Sequence, residues 1–234
     1  KKVFFFLVFV SFGLNASVWD YRYFNPIPSY SNYGGVGIIQ NPTARFQREG
    51  SLALSWSHNE PYLRGSIIAY PFSWFEASYQ YTDINNYLYS SVREFSGSQS
   101  LKDKSFDGKF LLRAESRLGP QLAVGFRDLA GTGLFGSEYL VASKFITNDI
   151  DISVGIGWGN LNGNAVSNPL TSLSNRFKFR GTTDNVDGGK FNIDSFFSGE
   201  AGIFAGLEYF IPNTKGIVLK AEYDGTNYIT ESLL

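Results

Sequence analysis

Apolar and polar residues alternate strictly along residues 120–159. Leu122, Val124 and Phe126 alternate with alanine, glycine and arginine, and residues 150–158 repeat the pattern with isoleucine, valine and tryptophan against aspartate, serine and glycine. A period of two residues is typical of a β-strand whose two faces meet different surroundings. The pattern therefore predicts strands with one continuously apolar face and one face of glycine, serine and charge.

The alternation extends over most of the chain. Nine strand candidates follow one another from Ser51 onward, and most are close to the roughly 9 to 11 residues that cross a bilayer when tilted. They include residues 51–57, 62–70, 73–82, 105–113, 122–127, 150–158, 200–211 and 217–223. This pattern predicts an all-β fold, a partial antiparallel up-and-down β-barrel of the transmembrane type, with roughly ten strands in this chain.

The connections between the predicted strands are sorted by length. Short and longer connections alternate along the chain. The first connection, residues 59–61, is an exception because it is short where this alternation would place a longer one. The short links are residues 71–72, 115–119, 147–149 and 212–216, and the longer ones are residues 83–104, 129–136 and 160–198. Outer-membrane barrels show this alternation, with short periplasmic turns and longer extracellular loops.

The cost of charge in lipid orients the two faces of a membrane barrel. A basic side chain facing the bilayer midplane costs roughly 2 to 4 kcal/mol. The charged face must then point into the lumen, whereas a soluble barrel would have the reverse arrangement. We expect these side chains to line the lumen and to contact polysaccharide: Asp107, Lys109, Arg113, Arg127, Glu138, Lys144, Asp151, Glu208, Lys220 and Glu222.

The N-terminal segment has the pattern of a secretory signal. Lys1 and Lys2 precede a short apolar run, and Ala16 provides a small residue for cleavage. We expect residues 1–16 to be a signal peptide for the Sec route. Residues 17–50 form an irregular aromatic and glycine-rich segment, interpreted as a plug, a periplasmic lead-in or a linker. Residues 51–234 carry the barrel strands, and the chain is interpreted as a fragment that is incomplete at its C-terminus.

Composition narrows the chemistry. The net charge of −1 gives no electrostatic reason to expect nucleic acid as a partner. The chain has no cysteine and a single histidine, His58, so neither a thiolate site nor a histidine metal cluster is expected, and no cofactor is predicted. Asp184 and Asp187 lack the spacing and closing glutamate of a calcium loop. Aromatic residues make up 17% of the chain, which favours β-structure with aromatic belts.

Two glycine-rich segments allow more than one interpretation. Residues 127–138 combine Arg127, Asp128 and Glu138 with glycines, which fits either a tight connection or a polar constriction that binds sugars. Residues 34–46 begin with glycines, but Pro42 and the polar residues beside it provide no helix for a phosphate cradle.

Four segments resemble the YjbH family of bacterial outer-membrane proteins, which is associated with exopolysaccharide and capsule production. They are GGVGIIQNPTARF at residues 34–46, PYLRGSIIAYPFSWFEASYQYTD at residues 61–83, KDKSFDGKF at residues 102–110, and GFRDLAGTGLFGSEYLVASKF at residues 125–145 with the following GIGWG. The resemblance implies an outer-membrane β-barrel in polysaccharide export or assembly and supplies no catalytic set. Some members look like lipoproteins, a feature from which this cysteine-free chain departs.

The leading hypothesis is therefore a non-enzymatic outer-membrane β-barrel of a Gram-negative bacterium. Its expected partners are outer-membrane lipid, an extracellular polysaccharide and other proteins of the export machinery. One alternative is an outer-membrane hydrolase or lipid-modifying barrel that uses His58. Another is a soluble periplasmic β-barrel that acts as a scaffold for the export machinery.

Overall fold

The computed structural model describes residues 27–181, 195–214 and 216–228. The predicted signal peptide, residues 17–26 of the lead-in and the aspartates of the weak calcium-loop pattern lie outside these ranges. No helix in these ranges is long and apolar enough to cross a membrane.

The described residues form one antiparallel sheet of ten strands. Its strands are β1 (Ser51–Asn59), β2 (Tyr62–Phe72), β3 (Phe75–Leu88), β4 (Ser100–Arg113), β5 (Gln121–Arg127), β6 (Ser137–Phe145), β7 (Ile150–Gly159), β8 (Ala165–Val166), β9 (Ala201–Phe210) and β10 (Val218–Tyr223). A short helix, α1 (Arg93–Ser96), and two 3-10 turns, Pro169–Ser172 and Asn175–Lys178, lie in the connections. The predicted all-β antiparallel architecture is confirmed.

Neighbouring strands in the sequence are neighbours in the sheet. The order is β1-β2-β3-β4-β5-β6-β7-β9-β10, and β8 pairs with the start of β9. Among the described residues, β1 and β10 are the two edges and no ladder joins them. These strands therefore form an open sheet that is not closed into a barrel, and the partial transmembrane barrel stays a prediction. Alternation along a strand specifies its two faces but not what pairs with the outermost strands.

The two ends of the sheet differ as the connection lengths predict. The short-turn end, as we call it, contains residues 73–74, 114–120, 146–149, 211–214 and 216–217. The long-loop end contains residues 89–99, 128–136, 160–181 and 195–200, together with the two-residue turn between β1 and β2. The loop before β4 is shorter than predicted, because β3 and β4 continue their pairing as far as Leu88 and Ser100.

The sheet buries its polar face and exposes its apolar face, which is the reverse of the arrangement in a soluble protein. The face that carries Ser66, Gln80 and Lys109, here called the inner face, is buried. The opposite, outer face is apolar and largely exposed, with Leu52, Leu54 and Trp56 of β1 exposed by 70%, 78% and 74%. Further exposed outer side chains are Ile67, Tyr81, Phe106, Leu140, Val154, Ile203, Leu219 and Tyr223.

Residues 27–50, which we call the inner segment, cover the inner face. Val36, Ala44 and Phe46 of this segment form one buried cluster with side chains of β2, β5, β6 and β9. Distant strands can share a cluster only if the sheet curves around what lies between them. The inner segment contains two isolated β-bridges, Tyr30 to Val36 and Gly37 to Pro42, and otherwise lacks regular structure.

Glycines on the inner face make room for aromatic rings from neighbouring strands. A Cβ atom at Gly125 would lie 2.1 Å from Cζ of Tyr139, its partner in the ladder, and a Cβ atom at Gly155 would lie 2.1 Å from Cζ of Phe204. Tyr139 and Phe204 then meet edge to face, with centroids 6.4 Å apart. The small residues on the polar face therefore allow close packing around the inner segment.

Candidate functional site

The charged groups of the inner face bind the inner segment. At the short-turn end, Nε and Nη2 of Arg45 each donate a 2.7 Å hydrogen bond to the carboxylate of Asp151. Nη1 of Arg45 forms a salt bridge with Glu115 and donates to Oε1 of Gln121 at 3.0 Å. Two carboxylates thus neutralise one buried guanidinium in a geometry that Arg suits and Lys does not.

Val36 is held through both of its backbone groups. Its N–H donates to Oε2 of Glu76 at 3.2 Å, and its carbonyl oxygen accepts from Nζ of Lys109 at 3.3 Å. Lys109 and Glu76 are cross-strand neighbours on β4 and β3, and Nζ lies 3.1 Å from Oε1. Because Lys109 is 1% exposed, its charge depends on this partner and on the ring of Phe46, whose centroid is 4.8 Å away.

Glu222 of β10 accepts three successive backbone N–H groups of the inner segment. They come from Ile39, Gln40 and Asn41 at 3.0, 2.8 and 3.2 Å. The side chain of Asn41 donates to the carbonyl oxygens of Ala205 and Tyr223. The glycine-rich run does form an anion-binding turn without a following helix, and the anion is a carboxylate of the same chain.

Three further predicted lumen residues also contact the inner segment. Nη2 of Arg127 donates to the carbonyl oxygen of Gln40 at 2.8 Å, and Nζ of Lys220 donates to that of Ile38 at 2.6 Å. Oε1 of Glu208 accepts from Oγ of Ser29 at 2.6 Å. Six of the ten predicted side chains, on both halves of the sheet, therefore contact the inner segment within the part of the chain described: Lys109, Arg127, Asp151, Glu208, Lys220 and Glu222.

A small cavity of about 20 Å³ lies between the inner segment and the sheet, beside Tyr33, Val36, Lys109 and Arg127. A single water needs roughly 10 to 15 Å³ measured in this way, so this cavity holds about one water. A sugar chain cannot pass here while the inner segment is in place.

Asp107 lies on the inner face but contacts the loop after β5. Oδ1 of Asp107 accepts the backbone N–H of Asp128 at 2.8 Å, and Oδ2 accepts Oγ of Ser78 at 3.2 Å. Asp128 has a positive φ of 52°, and its side chain accepts the N–H of Phe135. Burial, together with the charge of Asp103, raises the pKa of Asp128 to about 7.

Three of the predicted residues lie on the opposite face. Arg113 pairs with Leu122 of the outer face because the ladder shifts between Leu111 and Arg113. A bulge adds one residue and reverses the facing of everything after it. Its side chain lies beside Gly119 of the following turn.

Glu138 and Lys144 also share the outer side of the sheet, on β6, with Leu140 and Ala142. At the long-loop end, Arg180 covers Glu138, with two hydrogen bonds of 2.8 and 2.9 Å. At the short-turn end, Nζ of Lys144 donates to the carbonyl oxygen of Ser116 and lies 3.1 Å from Oε1 of Glu115. Local partners at the strand ends thus compensate both charges.

Sequence reasoning missed several residues of the site. Arg45, Glu76, Glu115 and Gln121 hold the inner segment, but none of them belongs to the predicted lumen set. The sequence could have placed Glu76 on the polar face, because it alternates with Phe75 and Ala77. Arg45 and Glu115 lie outside the strands, where no periodicity exists.

His58, the histidine of the hydrolase alternative, is exposed at the end of β1, and its Nε2 lies 2.9 Å from Oε1 of Glu60. Among the described residues no serine hydroxyl is hydrogen-bonded to His58. The same residues also hold no cluster of three or more His, Asp or Glu side chains suited to a metal ion.

The comparisons with known proteins agree with the resemblance. The family model of YjbH, described as exopolysaccharide biosynthesis protein YbjH, matches residues 29–233. A protein of Escherichia coli (strain K12), named uncharacterized lipoprotein YjbH, is 44% identical over 225 residues. These cover 95% of this chain and 32% of that protein, so the chain spans about a third of the relative's length. No solved structure matches the chain. The chain belongs to the YjbH family of exopolysaccharide biosynthesis proteins.

Proposed function

We propose that this chain is part of an outer-membrane protein that takes part in the export or assembly of an exopolysaccharide. The observation that carries the proposal is the inverted sheet, with its buried polar inner face and its exposed apolar outer face. Burying a large apolar side chain contributes about 1.5 to 3 kcal/mol. A face of many such side chains requires an apolar environment, and the bilayer supplies one along the length of every strand.

The connection lengths support the same placement. In bacterial outer-membrane barrels the long loops face the outside of the cell and the short turns face the periplasm. The long-loop end of this sheet would then be extracellular. The relative's name, a lipoprotein, is consistent with a protein of the cell envelope.

The open edges imply additional strands. Unpaired N–H and C=O groups of β1 and β10 would be costly in hydrocarbon, because no water is present to bond them. The relative is about three times as long as the matched region, so it has chain enough to complete a barrel. We propose that strands outside this region pair with β1 and β10.

The soluble scaffold is less well supported by the geometry. A soluble protein would use residues 27–50 to cover an apolar face, but this segment covers the polar one. The hydrolase alternative lacks an activated nucleophile at His58 in the described part of the chain. We therefore retain the non-enzymatic role as the proposal.

The location is tested by fractionating cells that express the full-length protein. We expect it in the outer-membrane fraction, resistant to carbonate extraction and with gel mobility that changes on heating. A full-length protein that remains soluble after lysis would contradict the membrane placement. Deleting the gene should reduce extracellular polysaccharide, and complementation should restore it; unchanged polysaccharide would contradict the role in export.

A crosslink can test whether the polysaccharide passes through the space that the inner segment occupies or is handled at the surface of the protein. Ile38 lies against Gly206 of β9, where a Cβ atom would lie 3.4 Å from Cγ1 of Ile38. The pair Ile38→Cys and Gly206→Cys could therefore form a disulfide between the inner segment and the sheet. Loss of export under oxidation, with recovery on reduction, would show that the segment must leave. Unchanged export would place polysaccharide handling at the long-loop end.

A further inference from the structure

Arg64 is a buried arginine that forms no salt bridge with the described residues. It lies on the inner face of β2, close to the long-loop end, and is 2% exposed. Its guanidinium is surrounded by the rings of Tyr33, Tyr62 and Phe135, with centroids 4.5, 4.3 and 5.3 Å away. Within the described ranges no carboxylate forms a salt bridge with Arg64; the buried Asp103, two strands away on the same face, interacts with it only through its charge. Nε of Arg64 has no hydrogen-bond partner. The buried Arg45, by contrast, has two carboxylates.

Arg64 is one of the residues that line an open cleft of about 240 Å³. Tyr33, Tyr62 and Tyr228 line it, together with the side-chain amides of Gln40 and Asn86. Oε1 of Gln40 is buried and, like Nε of Arg64, has no partner in the described part of the chain. Two unsatisfied polar atoms of opposite character thus belong to residues that line one cleft.

The unsatisfied atoms indicate the ligand. Leaving a buried charge unpaired costs several kcal/mol, and cation–π contacts offset only part of that cost. A carboxylate fits the guanidinium through two parallel hydrogen bonds. The ring of Tyr228, which is 51% exposed, offers apolar surface to the C–H groups of a sugar ring, and the exposed amide of Asn86 offers donors and an acceptor to its hydroxyls.

The position, volume and charge of the cleft favour one class of anion as its ligand. Arg64 points to the inner face, whereas lipid headgroups would meet the outer face and its rim. The volume lies below the roughly 300 to 1,000 Å³ of pockets for drug-sized ligands, which limits the occupant to about one sugar unit. Glu60 at the rim adds a negative charge that disfavours a dianion such as phosphate.

We propose that this cleft binds one carboxylate-bearing sugar unit of an acidic polysaccharide, with Arg64 pairing with the sugar carboxylate. The proposal deepens the proposed function and rests on it for the source of the ligand. It assigns the polysaccharide contact to the long-loop end, outside the predicted lumen set, whose members largely hold the inner segment.

The test measures binding to the full-length protein purified in detergent, by calorimetry. The probes are a disaccharide of galacturonic acid, the neutral disaccharide of galactose with the same linkage, and inorganic phosphate. We expect the acidic disaccharide to bind about tenfold more tightly than the neutral one, or better, and phosphate not to compete. Equal affinity for the two sugars would overturn the proposal, and competition by phosphate would reduce the site to a general anion site.

Variants locate the site. Arg64→Gln should remove the preference for the acidic disaccharide, and Arg64→Lys should restore it only partly, because lysine lacks the planar fork. The matched control is Arg117→Gln, an exposed arginine at the short-turn end, which should bind as the parent does. A preference that survives Arg64→Gln in a protein with normal heat-modifiable mobility would overturn the assignment.

A second variant avoids the buried position. Asn86→Ala changes an exposed residue of the cleft and should weaken binding of the acidic disaccharide several-fold without affecting folding. Unchanged binding would overturn the location of the site. Because these measurements do not involve export, failure to bind leaves the proposed export role standing, and normal export in a deletion strain leaves the binding result standing.

Discussion

Arg45 and Asp151, 106 positions apart in the chain, form a two-pronged ion pair in which both hydrogen bonds measure 2.7 Å. Asp151 faces Glu208 across the β7–β9 ladder, so two carboxylates would repel each other without a cation between them. Arg45 comes from the inner segment, outside the sheet. The pair therefore makes the charge balance of the sheet depend on the segment that fills it.

Arg45→Met should destabilise the protein strongly. The substitution leaves the buried Asp151 without its cation and Glu115 with Lys144 alone, and breaking a buried pair in this way costs about 3 to 5 kcal/mol. The unfolding midpoint in denaturant, measured in detergent, gives the change. Arg48→Met, at an exposed position three residues later, should change the free energy of unfolding by less than about 0.5 kcal/mol. Equal stability of the two variants would contradict the role of the pair.

Glu222→Gln should loosen the inner segment. The amide keeps the size of the side chain but loses the charge that accepts three N–H groups, at a cost of about 1 to 3 kcal/mol. The 234-residue chain has no cysteine, so Thr43→Cys, buried in the segment, gives a specific labelling site. We expect the thiol to react faster in the Glu222→Gln background than in the parent or with Glu200→Gln, an exposed control. Equal rates would argue against this anchor.

Stability should fall as the pH rises from about 4 to about 7, because of Asp128. Its folded pKa of about 7 lies above the ordinary value of 3.8, so the folded protein holds a proton that the unfolded chain has released. The contribution is fully present below about pH 4 and is lost as the pH approaches 7. Asp128→Asn should flatten this part of the profile, whereas Asp149→Asn, at the short-turn end, should not. A profile that is the same for all three proteins would refute the assignment.

Leu54→Arg should impair insertion into lipid. Leu54 is central in β1 and 78% exposed on the outer face, and an arginine facing the midplane costs roughly 2 to 4 kcal/mol. Refolding into vesicles, followed by the heat-dependent change in gel mobility, should show a lower folded fraction. Leu118→Arg, at a 95% exposed position in a short turn, should fold like the parent. Normal folding of Leu54→Arg would favour a water-facing outer surface.

Periodicity predicted the strands well but located charges less well. Lys109 and Asp151 lie where alternation places them, because each strand is regular up to that residue. Arg113 is displaced to the outer face by a bulge that the sequence does not mark. The predicted loop before β4 was too long, since polar residues such as Asp83 and Lys102 continue the ladder. Cross-strand pairing outweighed their loop-like composition.

The sequence predicts the contacts of a charged side chain less well than the face of the sheet on which it lies. Arg64 alternates with Leu63 on β2, so the sequence predicts its face. Whether a carboxylate forms a salt bridge with it depends on residues from distant parts of the chain. The residues 127–138 were predicted to be either a tight connection or a constriction. The structure shows a connection in which Asp128 and Asp107 are hydrogen-bonded, and sugar binding there stays a prediction.

The sequence by itself determined the strands, their meander order, the sorting of long and short connections and the two unlike faces, because each depends on neighbours along the chain. Only the tertiary structure decided that residues 27–50 cover the inner face and that most of the predicted lumen charges hold them. It also decided that, in the described part of the chain, β1 and β10 do not pair. A charged side chain in a strand needs a partner, but its partner can come from any part of the chain. Periodicity therefore predicts the face on which each charged side chain lies. Only the tertiary structure shows which group it contacts.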